Sequence, residues 1–316
     1  MKRLCSLLVP ALAALVVVDA QAQAPKFPDR PITMIVPWAA GGSTDQTGRA
    51  LAKAAESFLG KPVVIVNKPG ASTAIGMAEL ARAKPDGYTI GTLSSTTYLL
   101  AVQGRDLSYH PTDAFSYISY YGDNLIGIAV PADSRWKTLA DLIAEAKANP
   151  GKLNYGTAAI GSTQHLSTEA LTLSTGAKFM HIPQQGSAGS MTALLGKHVD
   201  FVTETSVWAP HVAAGRVRLL AVTAPKRAAA YPDVPTFSEF DVSPIRSVQA
   251  IIGPAGMPEA ERRILEGAFR KALKDPGFVS TMKTLAMEII DLPGPEVKKL
   301  VEQELLRARV VVAKMR

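Results

Sequence analysis

Three short stretches set glycine beside small hydroxylated residues, each just ahead of a helical pattern: Gly41-Gly42-Ser43-Thr44-Asp45, Pro69-Gly70-Ala71-Ser72-Thr73 and Gly161-Ser162-Thr163-Gln164. Turns of this kind bring unhindered backbone N–H groups and hydroxyls to one point, with the positive end of a helix dipole behind them. That is equipment for holding an anion. Neutral donors grip a carboxylate through directed hydrogen bonds without the strength of a buried ion pair, so the anion can be released again. Asp45 reads as a helix cap rather than a ligand contact.

Signatures of covalent or metal chemistry are missing. There is no G-x-S-x-G elbow, and Gly186-Ser187-Ala188-Gly189 has the wrong spacing for a strained nucleophile turn. The run from Gly189 to Lys197 has the wrong glycine spacing for a phosphate loop, with His198 where a magnesium-holding Ser or Thr would stand. The five histidines, His110, His165, His181, His198 and His211, show no i, i+4 pairing and read as structural. Neither a cofactor, a metal nor a catalytic group is expected.

The anion turns need elements to position them, and the sequence alternates strand and helix patterns. Ile32 to Val36 reads as a buried strand, followed by the first turn and an amphipathic helix from Gln46 to Leu59. Val63 to Val66, a helix from about Ser72 to Ala83, and a strand from Tyr88 to Thr92 follow. A second round begins after Tyr121: a strand at Leu125 to Val130, a helix from Thr138 to Ala148, and the third turn with its helix to about Leu173. Further strands are expected at Phe179 to Ile182, Val199 to Thr203 and Val217 to Val222, with a helix around Ala188 to Leu195. Such β-α-β alternation predicts mostly parallel sheets with helices on both faces. The Pro-rich stretch Tyr231 to Pro244 reads as a link, and two or three amphipathic helices close the chain.

The chain's 316 residues, with 47% hydrophobic and 19% charged residues, fit two globular α/β lobes and exclude disorder. Its beginning has the three parts of a secretory signal: basic Lys2 and Arg3, an apolar run from Leu7 to Val18, and Ala20-Gln21-Ala22 as a cleavage site. Cleavage after Ala22 removes Cys5, the one cysteine, and lowers the formal charge from +7 to +6. Basic residues near the C-terminus, Arg262 to Lys274, are mixed with acids and lack interleaved aromatics, so a solvated helix face is expected and nucleic-acid binding is not.

The order of motifs resembles the Bug/TctC family of periplasmic solute-binding proteins. The resemblance rests on Val36-Pro37-Trp38-Ala39-Ala40-Gly41-Gly42-Ser43-Thr44-Asp45, Asn67-Lys68-Pro69-Gly70-Ala71, Lys84-Pro85-Asp86-Gly87-Tyr88-Thr89, Ala148-Asn149-Pro150-Gly151, Gly161-Ser162-Thr163-Gln164-His165-Leu166 and Pro232-Asp233-Val234-Pro235-Thr236. It implies a two-lobed, type II Venus-flytrap fold, each lobe a mixed sheet flanked by helices. Residues 1–22 would be the signal, 25–123 with 247–316 the first lobe, and 124–246 the second.

The resemblance also implies capture of a small organic carboxylate between the lobes, delivery to membrane components of a tripartite tricarboxylate-type transporter, a periplasmic location and a monomer. Carried over residue by residue, Trp38, Ala39, Ala40, Gly42, Ser43, Thr44, Ala71 and Ser72 are the first-lobe candidates, and Ser162, Thr163 and Gln164 the second-lobe ones. Departures from the family pattern add Glu204, where Thr203-Glu204-Thr205 replaces a frequent Phe-Asp-Asn, and Arg246 ahead of Ser247-Val248-Gln249-Ala250. Arg246 is expected to meet a second carboxylate or another polar end of the solute, the alternative being a surface arginine on the interlobe link. Trp38 with Tyr98 is expected to form an apolar wall, the alternative being core packing. Two other readings stay open: a secreted α/β hydrolase or transferase acting on a carboxylated substrate, and a ligand-reporting partner of a membrane sensor.

Overall fold

A computed structural model of the chain describes residues 27–243 and 245–314; the signal segment and Cys5 lie outside the described residues. The chain first runs through strands β1 (Ile32–Val36), β2 (Val63–Asn67), β3 (Thr89–Ser94) and β4 (Phe115–Asp123), with helices α1 (Ser43–Leu59), α2 (Ala74–Arg82) and α3 (Thr96–Val102). It crosses over to form β5 (Gly127–Pro131), β6 (Asn154–Thr157), β7 (Met180–Pro183), β8 (Phe201–Glu204) and β9 (Val217–Val222). Helices α4 (Leu139–Ala148), α5 (Thr163–Thr175), α6 (Gly186–Leu195) and α7 (Ala209–Ala213) accompany them. The chain then returns as β10 (Val248–Pro254) and β11 (Ile289–Pro293), with α8 (Glu259–Ala272), α9 (Pro276–Thr284) and α10 (Gly294–Ala313).

Two sheets result, ordered β11-β4-β10-β3-β1-β2 and β7-β6-β8-β5-β9. Each is the centre of a lobe with apolar clusters on both faces. In the first, Ile251 faces one cluster while Ala250 and Ile252 face the other, the alternation a strand imposes. In the second, Ile128 and Val130 pack on one side and Ala129 on the opposite one. The sheets are mixed rather than mostly parallel. β1, β2 and β3 run parallel, as do β6, β7 and β8. β10 pairs antiparallel with β3 and β4, and β5 antiparallel with β8 and β9. The antiparallel strands flank the two crossings, where no β-α-β unit constrains direction.

Local signals explain most boundaries. Gly60 and Gly176 close α1 and α5 in the left-handed region, with φ near 70° and 73°. Thr138 and Asp141 form a reciprocal capping box that starts α4. The second helix begins at Ala74 instead of Ser72, because Ala71, Ser72 and Thr73 all take positive φ. The stretch from Tyr231 is more than a link: Thr236 and Glu239 cap a short turn that buries Phe237 completely in the second-lobe core. Three helices close the chain, and several of their basic residues are paired, Arg262 with Glu259 at 2.7 Å and Arg270 with Asp291 at 2.6 Å. Among the described residues no helix is long and apolar enough to cross a membrane.

Candidate functional site

Turns at the carboxyl ends of strands from both sheets face one another across a cleft, the position where open α/β sheets bind ligands. The first lobe lines it with Trp38, Ala39, Gly42, Ser43, Thr44, Ser94, Thr96 and Gln249; the second with Thr163, Gln164, Ser187 and Thr205; Asn124 and Ser247 close it at the two crossings. None of these side chains is charged. Ser43 and Thr44 open α1, Thr163 and Gln164 open α5, and Ser187 lies in the first turn of α6. Three helix dipoles therefore present positive ends to one neutral, hydroxyl-rich space. Gly42 and Gln185 cap their helices without side-chain hydrogen bonds, which leaves first-turn N–H groups free of side-chain caps.

The lobes touch directly. Ser43 Oγ donates to Thr205 Oγ1 at 2.9 Å, and Thr205 Oγ1 donates to Ser187 Oγ at 3.2 Å. Ser72 Oγ donates to the Ile160 carbonyl at 2.7 Å, Gln103 Nε2 to the Gly161 carbonyl at 2.8 Å, and Thr163 N to Thr96 Oγ1 at 3.4 Å. The cavity left at the centre measures about 20 Å³, little more than one water needs. An organic acid enters only if the lobes part.

Behind the lining, buried groups hold the turns. The Asp45 carboxylate accepts from Gly41 N at 2.9 Å, Asn67 Nδ2 at 2.8 Å and Arg49 Nε at 3.0 Å. Burial pushes its pKa up, but Arg49, the Gly41 N–H and Asn67 outweigh that and hold it below the usual range. Asp45 is thus the third residue of α1 reaching back to the glycine turn. In the second lobe, His165 Nδ1 accepts from Gly161 N at 3.1 Å, and its ring stacks on His181 at 4.2 Å. Burial and the neighbouring His165 push the His181 pKa down to about 4, so this pair stays neutral near pH 7. Gly161 itself has φ near 72°, and a Cβ there would lie 2.5 Å from Gln103 Oε1, so any other residue would be strained in this backbone and would displace the Gln103 amide.

The expected site residues divide into three groups. Trp38, Ala39, Gly42, Ser43, Thr44, Thr163 and Gln164 line the cleft. Ala40, Ala71, Ser72, Ser162 and Glu204 are not among the lining residues: Ala40 and Ala71 are chain neighbours of Ala39 and Ser72, Ser162 Oγ caps α5 by accepting from His165 N, Ser72 bridges the lobes, and Glu204 is buried behind Gln164. Arg246 is placed elsewhere. Its guanidinium donates to Asp123 Oδ2 at 2.6 Å and to Tyr120 Oη at 3.1 Å, so it joins the two crossings instead of lining the cleft. Tyr98 is also a core residue, its hydroxyl donating to Ser95 Oγ at 2.8 Å. Sequence reasoning missed Ser94, Thr96, Asn124, Ser187, Thr205, Ser247 and Gln249 as cleft residues. Ser94 with Thr96, and Ser187, repeat the strand-hydroxyl-helix pattern, which was legible; Asn124 and Ser247 had no local signal.

A family described as the tripartite tricarboxylate transporter family receptor matches residues 47–316. The UPF0065 protein in the gbd 5' region of Cupriavidus necator is 36% identical over 306 residues, covering 96% of this chain and 93% of that protein. The periplasmic binding protein BugD superposes with a TM-score of 0.87 at 30% identity, covering 92% of this chain and 98% of BugD. MatC from Rhodopseudomonas palustris, a structure with bound malate, gives a TM-score of 0.83 at 25% identity, covering 90% of this chain and all of MatC. The relatives are binding proteins rather than enzymes, and the chain belongs to the Bug/TctC family of solute-binding receptors.

Proposed function

We propose that this protein captures a small organic carboxylate in the periplasm and hands it to the membrane components of a tripartite tricarboxylate-type transporter. The observation that carries the reading is the charge-free cleft at which the N-termini of α1, α5 and α6 converge from two lobes. Backbone N–H groups with Ser43, Thr44, Thr163 and Ser187 suit a carboxylate that must later be released. Malate in MatC supports the same ligand class. Contacts from both lobes stabilise the closed form, so binding shifts an open-to-closed equilibrium.

A thermal-shift and calorimetric screen of mono-, di- and tricarboxylates tests this. A cognate acid at a hundredfold excess over its Kd stabilises the fold by about 2.7 kcal/mol. No stabilisation by any organic acid, or turnover of the one that binds, would overturn the reading.

A further inference from the structure

Behind the cleft wall sits a carboxyl group with unfinished hydrogen bonding. Glu204, at the end of β8, is fully buried. Its Oε2 accepts from Gln164 Nε2 at 3.3 Å and from Thr205 N at 3.1 Å, while Oε1 has no partner. Gln164 lines the cleft. A side-chain amide offers a donor end and an acceptor end, and an ionised Glu204 fixes which is which. The NH2 turns back to the carboxylate and the carbonyl oxygen is left for the cleft. Asn124, also on the lining, adds a second acceptor: its Nδ2 donates to Ser247 Oγ at 3.4 Å, and its buried Oδ1 has no partner.

Building on the carboxylate reading above, we propose that Glu204 is a positioning residue that acts through Gln164 to select acids bearing a hydroxyl or ammonium next to the captured carboxylate, the 2-hydroxy and 2-amino acids. Such a group donates to the Gln164 and Asn124 oxygens. An unsubstituted chain leaves those acceptors unmet, and a site built to hydrogen-bond a group discriminates strongly against analogues that lack it.

Protonation undoes the arrangement. A neutral Glu204 can donate to the Gln164 oxygen, which turns the amide and sends its NH2 into the cleft. Burial pushes the Glu204 pKa up to about 7, only partly offset by the Ser187 hydroxyl, the Thr205 N–H, Gln164 and the Ser190 hydroxyl. Nothing around it supplies a countercharge. α6 and β5 have no titratable side chain; on α5, His165 faces Glu169 at 3.8 Å; Tyr155 of β6 donates to Glu169; and Asp45 of α1 is tied to Arg49.

The test is calorimetry with two matched series, succinate, malate and aspartate, and adipate, 2-hydroxyadipate and 2-aminoadipate, at pH 6 and pH 8. The native protein should bind a substituted acid at least about tenfold more tightly than its parent at pH 8, with the ratio narrowing about threefold or more at pH 6. Glu204→Gln should still bind the acids but lose most of the preference and its pH dependence, and using the same acids cancels their own ionisation. Gln164→Met, which breaks the relay from the cleft side, should lose the preference as well. Equal binding of parent and substituted acids by the native protein, or a preference that survives in either variant, overturns the proposal alone. Binding of no acid in either series overturns it together with the carboxylate reading.

Discussion

Glu204 makes stability depend on pH in an unusual direction for a carboxyl group. Its folded pKa, near 7, lies above the ordinary 4.5, so its contribution is complete below about pH 4.5 and is lost as pH rises to about 7. Glu204→Gln removes that slope, and the variant should gain on the native protein by on the order of 3 kcal/mol between pH 4.5 and 8. Denaturant melts of both proteins at several pH values measure the difference; parallel curves would leave burial of this carboxyl without energetic consequence. Asp45 has the opposite sign. Its pKa is held low, so its stabilisation is present above the ordinary carboxyl range and disappears as pH falls through the folded value. Asp45→Ala frees the Gly41 N–H and strands Asn67 and Arg49, and should cost about 1–3 kcal/mol of stability and weaken solute binding about tenfold or more. Urea melts paired with calorimetry check both losses. The sequence pattern reads Asp45 as the helix cap, but the cap position belongs to Gly42, and Asp45 sits inside the first turn, from where its carboxylate reaches back to the Gly41 N–H. Nothing in the sequence signals that Asn67, 22 residues away, completes the support.

At the scale of elements, what was readable followed local rules. A Gly/Ser/Thr cluster between a strand and a helix signals a strand-end turn from sequence alone, and five such ends meet at the cleft. The antiparallel placement of β10 between β3 and β4 depends on pairing between strands far apart in the sequence, Val248 with Asp123 and Gln249 with Ser94, which no window contains. The same limit explains Arg246. Its residue type suits a carboxylate, and the carboxylate it meets is Asp123, 123 residues earlier. That ion pair ties the first crossing to the second, beside Ser95 Oγ, which donates to the Arg246 carbonyl and accepts from Val248 N. Arg246→Ala should therefore weaken mono- and dicarboxylates by the same factor, through the loss of the tie between the two crossings. A loss at least about tenfold greater for dicarboxylates, read by calorimetry, would instead put the guanidinium on the solute.

On the proposed function the whole molecule works as one equilibrium between parted and joined lobes, because the cavity of the joined form, about 20 Å³, holds little more than one water. Apparent affinity is then the intrinsic affinity scaled by the population of the form that binds. Gln103 offers a way to move that population without touching the cleft lining. Its side chain bridges from the first lobe to the Gly161 carbonyl, and a typical hydrogen bond contributes about 1 kcal/mol. Gln103→Ala removes the bridge and favours the parted form by roughly fivefold. Small-angle scattering should show a larger radius of gyration for this variant without ligand and the native value at saturation. Calorimetry should show every acid weakened by one common factor, at most about five, since the change lies in the lobes' equilibrium rather than in any contact with the solute. An affinity loss that differs from one acid to another would mean that Gln103 shapes the site itself, and that closure and selection are not separable in this fold.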